Sequence, residues 1–290
     1  MAAERLEDTL EFSACRGFDE NFMGVYIPMP RPSAKLLPKL ARLKSNNNAY
    51  VLKYHHYSTM QHAVRKVPVV SAINVASATQ RFDLPGRDDN WFRDNRIDED
   101  EQLSNKWYSK SGFDKGHLAR REDAEWGIDS EQARLAADLT CSYANCVPQV
   151  PPLNRANEKG KWGQLEKELL EKGVRLETGK AGRICVFAGP LFNESDRVRG
   201  GVQIAVDFYK VVVWYNGAGD LQTTCYRLTQ KALVGSIDFE VLNFGEVFVD
   251  EQVPIRAIER GTGLKFHERV TTTDTYAGSR PETGVNGGRA

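Results

Sequence analysis

Apolar residues along the chain recur at two periods, and each predicts its own kind of element. Val67–Val75 (VPVVSAINV) is rich in β-branched residues and reads as a strand. Arg183–Ala188, Val202–Tyr215 and Gln222–Leu228 carry the same signal. Trp162, Leu165 and Leu169 fall at i, i+3 and i+7, which predicts an amphipathic helix ending near Gly173. Glu131–Leu139 reads as a short helix, and Pro254–Arg260 as a final helix stopped by Gly261 and Gly263. Between these, Pro28, Pro30, Pro32 and Pro38 punctuate an arm leading to a loop at Ser45–Asn48. Residues 83–111 are polar and acidic and read as a long surface excursion. Residues 1–20 read as a peripheral leader. Strands and helices are interspersed without a regular βαβ rhythm. The expected fold is therefore α+β, a mixed and largely antiparallel sheet flanked by helices. With no internal repeat and no second domain in view, the chain divides into three parts. These are a basic arm over 1–62 packed on the core, a main domain over 63–270, and a flexible tail over 271–290.

Charge changes this picture locally. The 290 residues hold 39 Lys+Arg against 39 Asp+Glu, which excludes a chain that is basic throughout and an acidic solvating protein alike. Yet residues 21–82 contain no acid and nine bases, whereas 83–138 contain fifteen acids and nine bases. Such blocks predict a basic wall, with Lys53, Arg65 and Arg81, beside a groove. No run of 18 apolar residues is present, so no membrane contact is expected. Five irregularly spaced cysteines argue against a disulfide framework. The N-terminal residues show neither a secretory nor a transit pattern, and the expected location is the cytoplasm.

Only five histidines compete for catalysis. His55, His56 and His62 lie in an acid-free stretch without cysteine, a poor metal site. His117 follows Asp114-Lys-Gly, where Gly116 permits close backbone approach. Asp114 is a candidate to orient the imidazole, Lys115 is a candidate phosphate contact, and a neutral histidine suits deprotonation of water. Downstream, Asn145, Gln149 and Asn154 surround three prolines, and Glu166 follows on the predicted helix. Amide oxygens with a carboxylate suit a hard, hydrated cation such as Mg²⁺; the same residues also serve as helix caps and turns.

Phe113-Asp-Lys-Gly-His117, Asn145-x-x-Pro-Gln149, Leu153-Asn154 and Trp162-x-x-Leu-Glu166 occur in that order. Val186–Phe192, Phe208–Val213 and Ile258–Phe266 follow. Together they resemble the DNA/RNA non-specific endonucleases, the ββα-metal, endonuclease G-like nucleases, over roughly residues 63 to 266. The resemblance implies His117 as general base, Asn154 as the direct ligand of Mg²⁺ (Mn²⁺ substituting), Glu166 holding metal-bound water, and Asn145 orienting the site. It further implies DNA and RNA as partners through their phosphates, cleavage to 5′-phosphate ends, and a homodimer, though no residue demonstrates one.

Three departures qualify it. Lys115 stands where the family usually has arginine, which loses the bidentate fork. Leu170 stands where relatives commonly carry an arginine, so a cation must come from elsewhere; Arg87, Arg155 and Lys161 are the candidates. Asn154 and Glu166 are twelve residues apart, roughly 18 Å on an unbroken helix, too far to share a metal. Residues 155–161 must then loop outward, or Asn157 takes the metal in place of Asn154. Lys115 and Leu170 keep open a weakened relative that binds nucleic acid without efficient cleavage. An unspecific nuclease endangers its host, so control by an inhibitor or activating partner is expected, as in a toxin or anti-phage effector.

Overall fold

The computed structural model describes residues 12–86, 89–155, 160–171, 182–231 and 252–276. Eight strands carry the architecture: β1 (Leu52–Lys53), β2 (Tyr57–His62), β3 (Val67–Val75), β4 (Asp114–His117), β5 (Cys146–Gln149), β6 (Ile184–Leu191), β7 (Asp207–Tyr215) and β8 (Leu221–Thr229). The main helices are α1 (Ser130–Leu139), α2 (Pro151–Asn154), α3 (Lys161–Glu168) and α4 (Ile255–Thr262). Six strands form one sheet in the order β8-β7-β6-β3-β2-β1, antiparallel at every neighbouring pair. β4 and β5 form a separate two-stranded antiparallel ribbon.

The two-residue period of a strand sorts β7 between two cores. Tyr209, Val211 and Val213 pack with Phe18, Phe22 and Ile27 and with Ile255 and Ile258 of α4. Phe208 points the other way, into a cluster with Val147 of the ribbon, Leu153 of α2, and Trp162 and Leu165 of α3. Each such side chain contributes about 1.5–3 kcal/mol on burial. That clamps the ribbon and both helices onto the sheet. Lys210 lies on the same side as Phe208 and is 1% exposed, so it requires a partner in that core.

Several expected elements change form. The run from Val202 to Tyr215 is not one strand, because the carbonyls of Ala205 and Val206 accept hydrogen bonds from Gln230. β2 was hidden in the arm because four of the six residues in its sequence, YSTMQH, are polar; all six positions are buried. The Thr59 hydroxyl donates to the carbonyls of Val70 and Ala144, and Gln61 Nε2 to that of Glu101. The boundary expected at residue 62 therefore falls inside the β2–β3 hairpin and divides nothing. Phe18 packs on Phe187, so the described part of the leader belongs to the core. The excursion over 83–111 also turns inward, burying Phe92, Ile97, Leu103 and Tyr108. Gly261 lies within α4, passing close to Leu191, and the helix stops at Gly263 with φ 71°. Of the expected tail, Thr273 and Thr275 bond to Thr223 on the edge of β8. Its residues 277–290 lie outside the described residues, as does the predicted helix end near Gly173.

Candidate active site

The residues from Asp114 to Glu166 fold into a ribbon crossed by a broken helix. Register pairs Asp114 with Gln149, Lys115 with Pro148, Gly116 with Val147 and His117 with Cys146. Gly116 is required because the Gln149 side chain occupies the place of a Cβ. Val150 then leads into α2, whose second residue is a proline, and Arg155 leaves helical geometry at ψ 111°. The chain returns at Gly160, whose N–H donates to the Arg155 carbonyl at 2.8 Å, and α3 begins. A Cβ on Gly160 would stand 2.6–2.8 Å from backbone atoms of Leu153 and Arg155. The break required by the twelve-residue spacing is thus present, pinched closed by a glycine. Asn157 lies outside the described residues.

A cleft of about 680 Å³ opens where the ribbon meets α2 and α3, and His117, Asn154 and Glu166 all line it. His117 is 9% exposed, its Nε2 3.8 Å from Cys141 Sγ and its ring 4.7 Å from that of Trp91. Glu166 Oε1 accepts from the buried Lys210 Nζ at 3.0 Å, and that ammonium lies 4.4 Å from the centre of the Trp162 ring. Lys210 is a site residue that the sequence reading missed. Its signal was a lone charge inside the apolar run of β7.

Asp114 requires a correction. It does not orient His117: its carboxylate takes a bidentate fork from Arg155 at 2.8 and 2.9 Å and a hydrogen bond from Asn154 Nδ2 at 3.1 Å. Three positions apart on a strand, Asp114 and His117 project to opposite sides. Arg155, expected as a phosphate cation, is held by that carboxylate. Lys161 does not line the cleft. At 100° per residue it points about 200° from Gly163, which does. Arg87 lies outside the described residues.

Lys115 keeps its place in the cleft. Its ammonium is 5.2 Å from the Trp91 ring centre and 5.6 Å from that of Tyr143, and donates to Asn105 Oδ1 at 3.2 Å. Burial pushes its pKa down. Asn145 is fully buried and reaches the site through the backbone. Its Oδ1 accepts from the Ala119 N–H at 2.9 Å, while Nδ2 donates to the carbonyls of Ala119 and Thr140 at 2.8 and 2.9 Å. The strand end carrying His117 is fixed by that clamp.

The basic wall expected from residues 21–82 is absent from this cleft, since none of its lining residues comes from that stretch. Arg65 is buried in an ion pair with Asp196 at 2.8 Å, and Arg81 bonds to the Glu122 and Asp123 carbonyls. The cleft's own bases are Lys115, Arg120, Arg121 and Arg155. Against them stand Asp89, Asp114, Glu122 and Glu166, so the formal side-chain charge balances.

The family model described as DNA/RNA non-specific endonuclease matches residues 41–273. The chain belongs to that family. It is 32% identical over 286 residues to the uncharacterized protein y4fB of Sinorhizobium fredii, covering 94% of this chain and 42% of that one. The chain thus spans less than half the length of that relative. Human mitochondrial endonuclease G is 29% identical over 79% of this chain and 71% of its own. Nuclease C1 of Cunninghamella echinulata is 28% identical over 56% of this chain and 60% of its own. Among solved structures, EndoG in the EndoG/EndoGI complex superposes with a TM-score of 0.58 at 22% identity, over 77% of this chain and 86% of that one. That likeness is one of fold.

Proposed function

We propose that the chain is a Mg²⁺-dependent, sugar-nonspecific endonuclease that hydrolyses DNA and RNA to 5′-phosphate ends. The observation that carries this is the gathering of His117, Asn154 and Glu166 in one cleft by a glycine-pinched break in the helix. The donor chemistry fits a hard cation. Among the described residues no cluster of three His, Cys, Asp or Glu side chains could hold a metal. Asn154 commits its Nδ2 to Asp114, which leaves its carbonyl oxygen as the donor. Such a site takes a cation that keeps most of its water, Mg²⁺ or Mn²⁺, with Asn154 as direct ligand and Glu166 acting through water. When bound, it supplies the positive charge that the balanced cleft lacks against the phosphate and the leaving 3′ oxygen.

His117 accepts the proton of the attacking water as its oxygen bonds to phosphorus. The P–O3′ bond breaks, and the 3′ oxygen takes a proton from solvent. Lys210, bonded to Oε1, fixes the orientation of the Glu166 carboxylate. Contacts made to sugar and phosphate carry no base sequence, which is the physical basis of low specificity. The test is degradation of plasmid DNA and of RNA with Mg²⁺ and with EDTA. Cleavage of both that EDTA abolishes is the expected result; tight binding without cleavage favours the weakened relative. A protein inhibitor is the proposed control, in keeping with the EndoG/EndoGI complex. Purified chain that is fully active yet harmless when expressed contradicts it.

A further inference from the structure

We propose that Arg120 is the phosphate-binding guanidinium of this cleft, donating to a non-bridging oxygen of the scissile phosphodiester. The proposal rests on the nuclease reading above and gives the site the cation that Leu170 does not provide. Leu170 is 4% exposed and packed in the core, so nothing at that position reaches the cleft.

The four cleft cations are not equivalent. Arg155 is forked onto Asp114. The Lys115 ammonium sits between two aromatic rings and on Asn105. Arg121 also has a buried Nη2 without a partner among the described residues, but its side chain is only 2% exposed, with Nη1 bound to Asp138 at 2.6 Å, so almost none of it opens to the cleft. Arg120 differs from all three. Its side chain is 18% exposed, its Nε lies 2.9 Å from Glu122 Oε2 and 3.8 Å from Glu166 Oε2, and it lines the cleft. Its Nη1 is buried and has no hydrogen-bond partner among the described residues. A guanidinium offers five donors in a planar fork that matches phosphate geometry, and a buried donor left unmade is costly. Nη1 itself is closed to solvent, so a ligand oxygen in the cleft meets the part of the side chain that makes up its 18% exposure.

The backbone beneath Arg120 is preorganised. The Asn145 carboxamide closes on both the N–H and the carbonyl of Ala119, the residue immediately before it. The same amide therefore holds the segment from the general base to the proposed phosphate contact. Glu122 and Glu166 keep the guanidinium charged and aimed, and the short range to Glu166 places the phosphate beside the carboxylate assigned to metal-bound water. A fixed donor at the place where charge develops is worth about 10²–10³ in rate.

The experiment compares wild type, Arg120→Ala, Arg120→Lys and His117→Ala on a short DNA duplex with Mg²⁺, under single-turnover conditions. Affinity for the same duplex is measured in EDTA, and thermal melting checks folding. Arg120→Ala is expected to cleave about 10²–10³ more slowly. Added guanidinium ion, kept below denaturing concentration, is expected to restore part of that loss in Arg120→Ala but none in His117→Ala. Arg120→Lys keeps the charge beside Glu122 and Glu166, and is expected to fold and cleave at an intermediate rate. If either folded Arg120 variant cleaves within threefold of wild type while His117→Ala is inactive, the proposal is overturned and the nuclease reading stands. A wild type that cleaves neither DNA nor RNA overturns the nuclease reading itself; unchanged duplex affinity in the Arg120 variants then overturns the phosphate contact as well.

Discussion

His56 stands in the left-handed region at φ 66°, its ring stacked on Trp126 and its Nε2–H donating to the Trp126 carbonyl at 2.9 Å. Burial pushes its pKa down to about 4. Burial, with Arg65 and Lys39 behind it, does the same to His62. For a depressed pKa the unfolded chain binds the proton more tightly. The stability is present above about pH 6.5 and is lost as pH falls towards 4. At pH 5 the His56 contribution is down by up to ~2 kcal/mol. Urea unfolding at pH 7 and pH 5 is expected to show this loss, and His56→Asn, which tolerates positive φ, to flatten it. At this scale the sequence made His117 legible, because five histidines can be weighed one by one. It misled at Asp114, where neighbours in sequence were taken for neighbours in space. It passed over Arg120 and Lys210, whose meaning depends on Glu166 arriving from another element.

The broken helix is the element on which the site depends. Its interruption was legible from spacing alone, since one straight helix holds Asn154 and Glu166 too far apart. Gly160→Ala forces a Cβ against the Leu153 and Arg155 backbone. The expected result is a stability loss of about 1–3 kcal/mol, together with weaker Mg²⁺ binding by calorimetry. A variant that binds and melts like wild type would remove the glycine from the account. β2 and β4 were not legible, for a common reason. Their polar residues satisfy themselves against distant partners, such as the Ala144 carbonyl for Thr59 and the Arg155 side chain for Asp114. No local pattern encodes such partners. The strands built on β-branched runs, β3 above all, needed no such help.

At the scale of the whole molecule, the neutral total conceals blocks of charge that fold away from the simplest use of them. The nine bases of residues 21–82 do not line the cleft, and Arg65 closes on a buried Asp196. Arg65→Ala is expected to lower stability by about 3–5 kcal/mol by stranding that carboxylate. Lys53→Ala is expected to leave the salt dependence of DNA binding unchanged, whereas Lys115→Ala reduces its slope by about 1. Binding measured from low to moderate salt separates the two. The α+β class and the order of the motifs were readable along the chain. The boundary at residue 62 was not, because a hairpin strand was hidden in a polar sequence. The central claim is that this cleft hydrolyses phosphodiesters with His117 as base. The direct measurement is single-turnover cleavage of DNA and of RNA by wild type and His117→Ala at saturating Mg²⁺. The account predicts a loss of about 10²–10⁴ on both substrates with native melting behaviour; a folded His117→Ala that cleaves at the wild-type rate contradicts it.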